Sequence, residues 1–293
     1  AARRAQLGPY ELHTNLAAED PLLPRLDAIA SSIASVYRAR YGLTPLGAPT
    51  SVIALFDDLA GYRALQMEDP ALVALADAGA EIGGHAGGGV AAVWRGGRAD
   101  DVVASTLIHE LVHTLNRRAL GPALPPWLEE GLAEELALSA VDRDGRIDPA
   151  RLSGTTQRTA LGTRETIRDG LAMRTTDVRI DHTGGLAVVT TLRTAQQRGR
   201  LVSLGALVQL DQQAFVGDAQ RRLHYGQAGL WLRALLSEPA TEATLRAYLA
   251  GVADGAPATG EALRMRLDRP WTALDAAFHA WLDARAASLD SAP

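Results

Sequence analysis

The sequence predicts an α+β fold with a small mixed β-sheet and a mostly helical C-terminal half. Three observations predict it. Strand and helix periods alternate over the first 95 residues, two helices rich in His and Glu occupy the middle, and strand signals fade beyond about residue 140. Residues 1–140 therefore read as an α+β half carrying both special helices, and residues 141–293 as a mostly helical half closing a cleft against it. A length of 293 residues fits one large domain or two small ones. At 47% hydrophobic and 22% charged residues the chain can bury a core.

Each element follows from a local pattern. Tyr10–Thr14 reads as a short strand. Leu22, Leu26, Ile29, Ile33, Val36 and Tyr37 recur at helical spacing over Leu22–Tyr41, and Gly42 is the natural stop. Ser51–Phe56 is a second strand, after which Asp57 or Asp58 caps a short helix running to Met67. Gly83–Gly89 reads as a glycine-rich loop, and Val90–Trp94 as a strand. Asp100–Arg118 is a long helix with acids at its start and Arg117-Arg118 at its end, an order that complements the helix dipole. Gly121-Pro122 and Pro125-Pro126 break the chain, and Trp127–Ser139 forms the next helix with Pro126 suited to its first position. The polar 145–163 region reads as a loop. Leu186–Gln197, Gln220–Leu236, Thr241–Val252 and Pro270–Ala287 read as helices, and no internal repeat is present.

Composition excludes several chemistries. The chain has no Cys, and all 29 of its Lys+Arg residues are Arg. Without Lys there is no Walker A loop, Schiff base or usual kinase. Without Cys there is no thiol nucleophile, disulfide or thiolate metal site. Any metal must be held by His, Asp and Glu. A formal net charge of −5 argues against a nucleic-acid partner, and no apolar run of about 18 residues offers a membrane span. The chain opens Ala1-Ala2-Arg3-Arg4 without Met. The expected location is extracytoplasmic, periplasmic or secreted after removal of a signal, with the cytoplasm as the alternative. Oligomeric state is not legible.

One constellation carries chemistry. His109-Glu110-Leu111-Val112-His113 lies inside the long helix. Four residues span about 400° of helix, so His109 and His113 project from one face about one turn apart. Two imidazoles so placed can both reach a Zn2+ at about 2.0–2.1 Å. Glu110 is about 100° round, too offset to be a ligand but placed to take a proton from a water on the metal. Apolar residues cover much of this helix, so it is buried, and buried His need partners. A catalytic zinc site needs a third protein ligand. Trp127-Leu128-Glu129-Glu130-Gly131-Leu132-Ala133-Glu134-Glu135 offers acids at a sensible distance.

His109-Glu110-x-x-His113 followed by Trp-Leu-x-Glu-Gly-x-Ala resembles the gluzincin zinc peptidases. The segment looks closest to their peptidase-MA-like branch of poorly characterised bacterial proteins, and more distantly to aminopeptidase N-like enzymes. The resemblance covers residues 100–139 well and the rest weakly. It implies a zincin-like fold, one Zn2+ per chain, a peptide or protein substrate, and Glu130 rather than Glu129 as third ligand. It implies that Glu134, one turn on, hydrogen-bonds a metal-binding His. It also implies that a Tyr or His from the helical half steadies the oxyanion, with Tyr225 the better match and His224 the alternative. The strand beginning at Val90 is then expected to border the cleft and to pair with an extended peptide. Gly89, Val90, Ala91 and Ala92 become substrate-binding candidates. His85 reads as a loop residue, and His13, His182 and His279 as structural or surface groups.

Two departures bear on activity. The aminopeptidase N-like enzymes carry a Gly-x-Met-Glu-Asn segment, whereas here Gly88–Trp94 holds no acid. Only 16 residues separate His113 from Glu130, fewer than in those enzymes. An endopeptidase is the expected activity. The alternatives are a non-catalytic zincin-fold binding or scaffold protein, and a zinc amidase acting on cell-wall peptides.

Overall fold

The structure is a computed structural model that describes residues 3–47, 52–66, 84–87, 89–168, 171–217 and 219–290. It is a mixed α+β protein, mostly helical, with a small mixed sheet. The expected helix end at Met67, and Ser51, Gly83 and Gly88, lie outside the described residues.

The five-stranded sheet has the order β1-β2-β3-β5-β4. β1 (Arg3–Leu7) and β2 (Tyr10–Thr14) form an antiparallel hairpin. Its turn needs Gly8: φ is +54°, and a Cβ there would lie 2.7 Å from the Ser31 nitrogen. The chain returns through α1 (Leu22–Tyr41), whose buried Leu22, Leu26, Ile29, Ile33, Tyr37 and Tyr41 form one stripe. As expected, Gly42 ends α1, with φ +74° and its N–H bonded to the Arg38 carbonyl. β3 (Val52–Phe56) runs parallel to β2, and β5 (Val90–Trp94) parallel to β3. Asp58 Oδ1 accepts from the Gly61 N–H at 2.7 Å, capping α2 (Leu59–Gln66). α1 and α3 (Asp100–Leu120) contribute to the large core on one face of the sheet. Tyr62 of α2 packs with Ala54 and Ala92 on the other.

Three sequence expectations need correction. Residues 84–87, read as part of a loop, form the outer strand β4 (Gly84–Gly87), antiparallel to β5. Glycine carries little strand propensity, and here the ladder to β5 decides the conformation. The 145–163 region is not a loop. It holds β7 (Ile147–Leu152), paired with β6 (Ser139–Val141), and most of β8 (Thr156–Arg168), paired with β9 (Leu171–His182). In sequence these ribbons mix polar and apolar residues on both faces, so they lack the one-sided alternation that betrays a strand. The third correction concerns short helices the sequence left unassigned, namely α6 (Leu204–Leu207), α7 (Gln212–Gly217) and α10 (Gly260–Leu267).

The expected long helices are present as α4 (Pro126–Ala137), α5 (Gly184–Gln197), α8 (Arg221–Leu235), α9 (Pro239–Ala253) and α11 (Trp271–Asp290). Pro126 opens α4. Close packing of α8 on α4 is set by small residues: a Cβ on Gly131 would lie 3.0 Å from Leu232, and one on Gly229 2.8 Å from Glu134. Residues from Leu7 to Leu289 belong to one large core cluster. Among the described residues no helix is long and apolar enough to cross a membrane.

Candidate metal centre

Helices α3 and α4 cross so that three ligand atoms converge. His113 Nε2 lies 3.1 Å from His109 Nε2, and Glu130 Oε2 lies 3.3 Å from His109 Nε2 and 3.4 Å from His113 Nε2. The corners of a tetrahedron with bonds of about 2.0–2.1 Å are about 3.3–3.4 Å apart. The three residues form a group that could hold a metal ion. Glu130 Oε2 is buried and lacks a hydrogen-bond partner. An unpartnered buried oxygen costs on the order of 1–3 kcal/mol, which a cation at this point would offset. The donor set and its spacing fit Zn2+.

Partners behind the ligands set their orientation. His109 Nδ1 faces Glu134 Oε2 at 3.5 Å, and His113 Nδ1 faces Glu129 Oε1 at 3.4 Å. Each carboxylate stands on the Nδ1 side of its ring, so each ring turns its Nε2 edge to the centre, while His113 Nδ1, like Glu130 Oε2, is buried without a hydrogen-bond partner. Glu134 is thus within ion-pair distance of His109 Nδ1. Glu129 was not foreseen: the α4 pattern marks it only as the acid beside Glu130, and its reach to His113 depends on the helix crossing. Burial pushes both imidazoles toward the neutral form, but Glu130 with Glu134 or Glu129 more than reverses this and raises both pKa values. Burial likewise opposes charge on Glu130, yet the two imidazoles hold its carboxyl well below the usual carboxylate range. A metal ion entering the site must therefore displace protons.

Glu110 is 5% exposed and lies under the outer strand. Burial raises its pKa, partly opposed by His109 and His113, making it a stronger base than an ordinary carboxylate. Gly84 of β4 leaves its space. A Cβ there would stand 2.9 Å from Glu110 Cγ, 2.7 Å from Thr106 Cγ2 and 2.8 Å from the Ala92 carbonyl oxygen. Gly84→Ala is therefore expected to displace Glu110 and lower kcat/KM for any hydrolysis at this site by about 100-fold. An unchanged kcat/KM in that variant would refute the contact's importance.

The structure separates the two oxyanion candidates. Tyr225, on α8, stacks over His109 with ring centroids 6.2 Å apart and an 18° interplanar angle. Burial, with Glu130 and Glu110 nearby, pushes its pKa up, so the hydroxyl keeps its proton. His224 is turned about 100° away on the same helix. Its Nδ1 pairs with the Phe215 carbonyl oxygen at 3.2 Å and its ring packs on Phe215. His224 is thus held by Phe215, and of the two candidates it is Tyr225 that lies against His109.

The substrate-binding expectation at Gly89, Val90, Ala91 and Ala92 is corrected. β5 is paired on both sides, with β3 and with β4, and Ala91 and Ala92 are fully buried. Its backbone has no free edge for an extended peptide. Among the described residues the edge strand next to β5 is β4, where Arg117 of α3 donates to the Ala86 carbonyl at 3.0 Å.

Compared with protein-family models, curated proteins and solved structures, the chain matches none of them.

Proposed function

We propose that this protein is a zinc-dependent peptidase of the gluzincin kind, probing peptide or protein substrates with a zincin-like fold. The observation that carries the reading is the convergence of His109 Nε2, His113 Nε2 and Glu130 Oε2 within 3.1–3.4 Å, beside a buried Glu110.

His109, His113 and Glu130 would hold one Zn2+. When bound, the ion supplies Lewis-acid chemistry, polarising the scissile carbonyl and lowering the pKa of water. Glu110, its basicity raised by burial, accepts the proton of the attacking water and returns it to the leaving amine. Tyr225 keeps its phenolic proton and donates to the developing oxyanion. Glu129 and Glu134, on the Nδ1 sides of the two imidazoles, would favour the tautomer that leaves Nε2 free to bind.

The test is metal content with peptide hydrolysis. The expected result is one zinc per chain, cleavage within a peptide library, loss of cleavage with a chelator, and recovery on adding zinc. Zinc affinity is expected to fall as pH drops, with protons released on binding at neutral pH, because the ligands bind metal only when deprotonated. Protein that takes up no zinc would refute the metal site. Zinc uptake with hydrolysis of cell-wall peptides alone would replace the peptidase by an amidase, and zinc uptake with no hydrolysis would leave a binding protein.

A further inference from the structure

Away from the metal centre, the C-terminal end of α5 and the start of α8 flank an open cavity of about 440 Å3. Thr190, Thr194 and Ala195 of α5 form one wall, and Leu223 of α8 another. Arg198, Arg200 and Arg222 stand around it. We infer that this cavity binds a soluble phosphate monoester, with the three guanidinium groups on the phosphate and the organic part against Ala195 and Leu223.

Arg198, Arg200 and Arg222 are all exposed, and among the described residues no acid competes with an anion for them. The chain carries a net charge of −5, yet none of the three arginines has a carboxylate within ion-pair distance among the described residues. Where an acid is in reach on α5 it is used: Arg193 pairs with Asp283 at 3.5 Å. The first turn of α8 contains no acid but does contain Arg221 and Arg222. Cations at a helix start oppose the positive end of the dipole, so a bound anion relieves an existing repulsion.

The chemistry selects a phosphate. A phosphate monoester carries close to two negative charges at neutral pH and presents three acceptor oxygens, enough for three guanidinium forks. A single carboxylate offers one charge and two oxygens. The volume exceeds that of a bare phosphate and lies in the usual range for small-molecule sites, about 300–1,000 Å3. The Thr190 and Thr194 hydroxyls donate back to α5 carbonyls at 3.0 and 2.9 Å, which leaves the arginines as the donors.

The test is calorimetric titration of the full chain with glycerol 3-phosphate, inorganic phosphate and succinate, alongside vesicles containing phosphatidic acid. Expected is saturable binding of glycerol 3-phosphate at one site per chain, weakened at least about tenfold in the double variant Arg198→Gln/Arg222→Gln. Arg143→Gln, in the remote 142–146 turn, should bind as the wild type does. Without ligand, Arg222→Gln alone should melt no lower than wild type, since it removes a cation from the first turn of α8. The ester should raise the melting temperature of wild type only. The inference is overturned by absent or non-saturable binding, by equal affinity in wild type and double variant, by succinate binding as tightly as the ester, or by binding confined to vesicles.

Discussion

Glu110→Gln is expected to lower kcat for peptide hydrolysis by about 10²–10⁴-fold while zinc content stays at one per chain. The reasoning is geometric. Glu110 is not among the three converging ligand atoms, so the amide leaves the donor set intact. It does remove the only basic oxygen that the His109-to-His113 turn places beside that set. The side chain is buried, and its burial already disfavours the charged form, so the neutral isostere should fold at least as well as the wild type. Metal analysis, thermal melting and single-turnover kinetics on the same sample check the three parts. A variant that keeps zinc and full hydrolysis would refute the general-base role, whereas one that loses zinc would show that Glu110 shapes the site.

The second large effect is on stability. Glu135 is completely buried at the junction of α1, α4 and α8. Its carboxylate pairs with Arg40 at 2.7 Å and Arg233 at 3.3 Å, and accepts from the Tyr41 hydroxyl at 2.7 Å. Arg233 is 4% exposed and also donates to the Glu135 carbonyl, Ser139 Oγ and the Pro149 carbonyl. Glu135→Ala strands a buried guanidinium, and breaking such a pair costs about 3–5 kcal/mol. The urea midpoint should fall accordingly, and zinc affinity with it, because Glu135 anchors the helix that carries Glu129, Glu130 and Glu134. A midpoint within error of wild type would refute this.

The same group gives a pH dependence. Burial pushes the Glu135 carboxyl up, but Arg233, Arg40 and Tyr41 more than offset it, leaving its pKa below the ordinary Glu value. A group whose folded pKa is depressed contributes its full stability above the unfolded pKa and loses it as pH falls through the folded one. Zinc-free wild type should therefore lose stability on acidification below the ordinary Glu value, and Glu135→Gln should lose less. Urea midpoints at stepped pH values measure the difference.

Legibility in the sequence followed one physical rule. Features fixed within a turn or two of chain were readable. The α1 stripe and its Gly42 stop, the pairing of His109 with His113 on one face, and the place of Pro126 all follow from local geometry. Features that need a partner from elsewhere were not. β4 is a strand because β5 lies alongside it, and β8 because β9 does, although neither sequence alternates. Val90–Ala92 lost its expected free edge for the same reason. Glu129 acquired a role only through the crossing of α3 and α4.

Sequence alone determined the chemistry available to this protein. The absence of Cys and Lys left His and carboxylate as metal ligands, and the 109–113 spacing put two of them on one helical face. Tertiary structure decided which other groups join them. It brought Glu130 within 3.4 Å of both imidazoles, set Tyr225 over His109, and committed His224 to Phe215. The reason is that a helix fixes relations among its own residues through backbone hydrogen bonds, whereas the approach of one helix to another depends on which side chains are small at the crossing. Here Gly131 and Gly229 let α8 close on α4 and carry Tyr225 to the site.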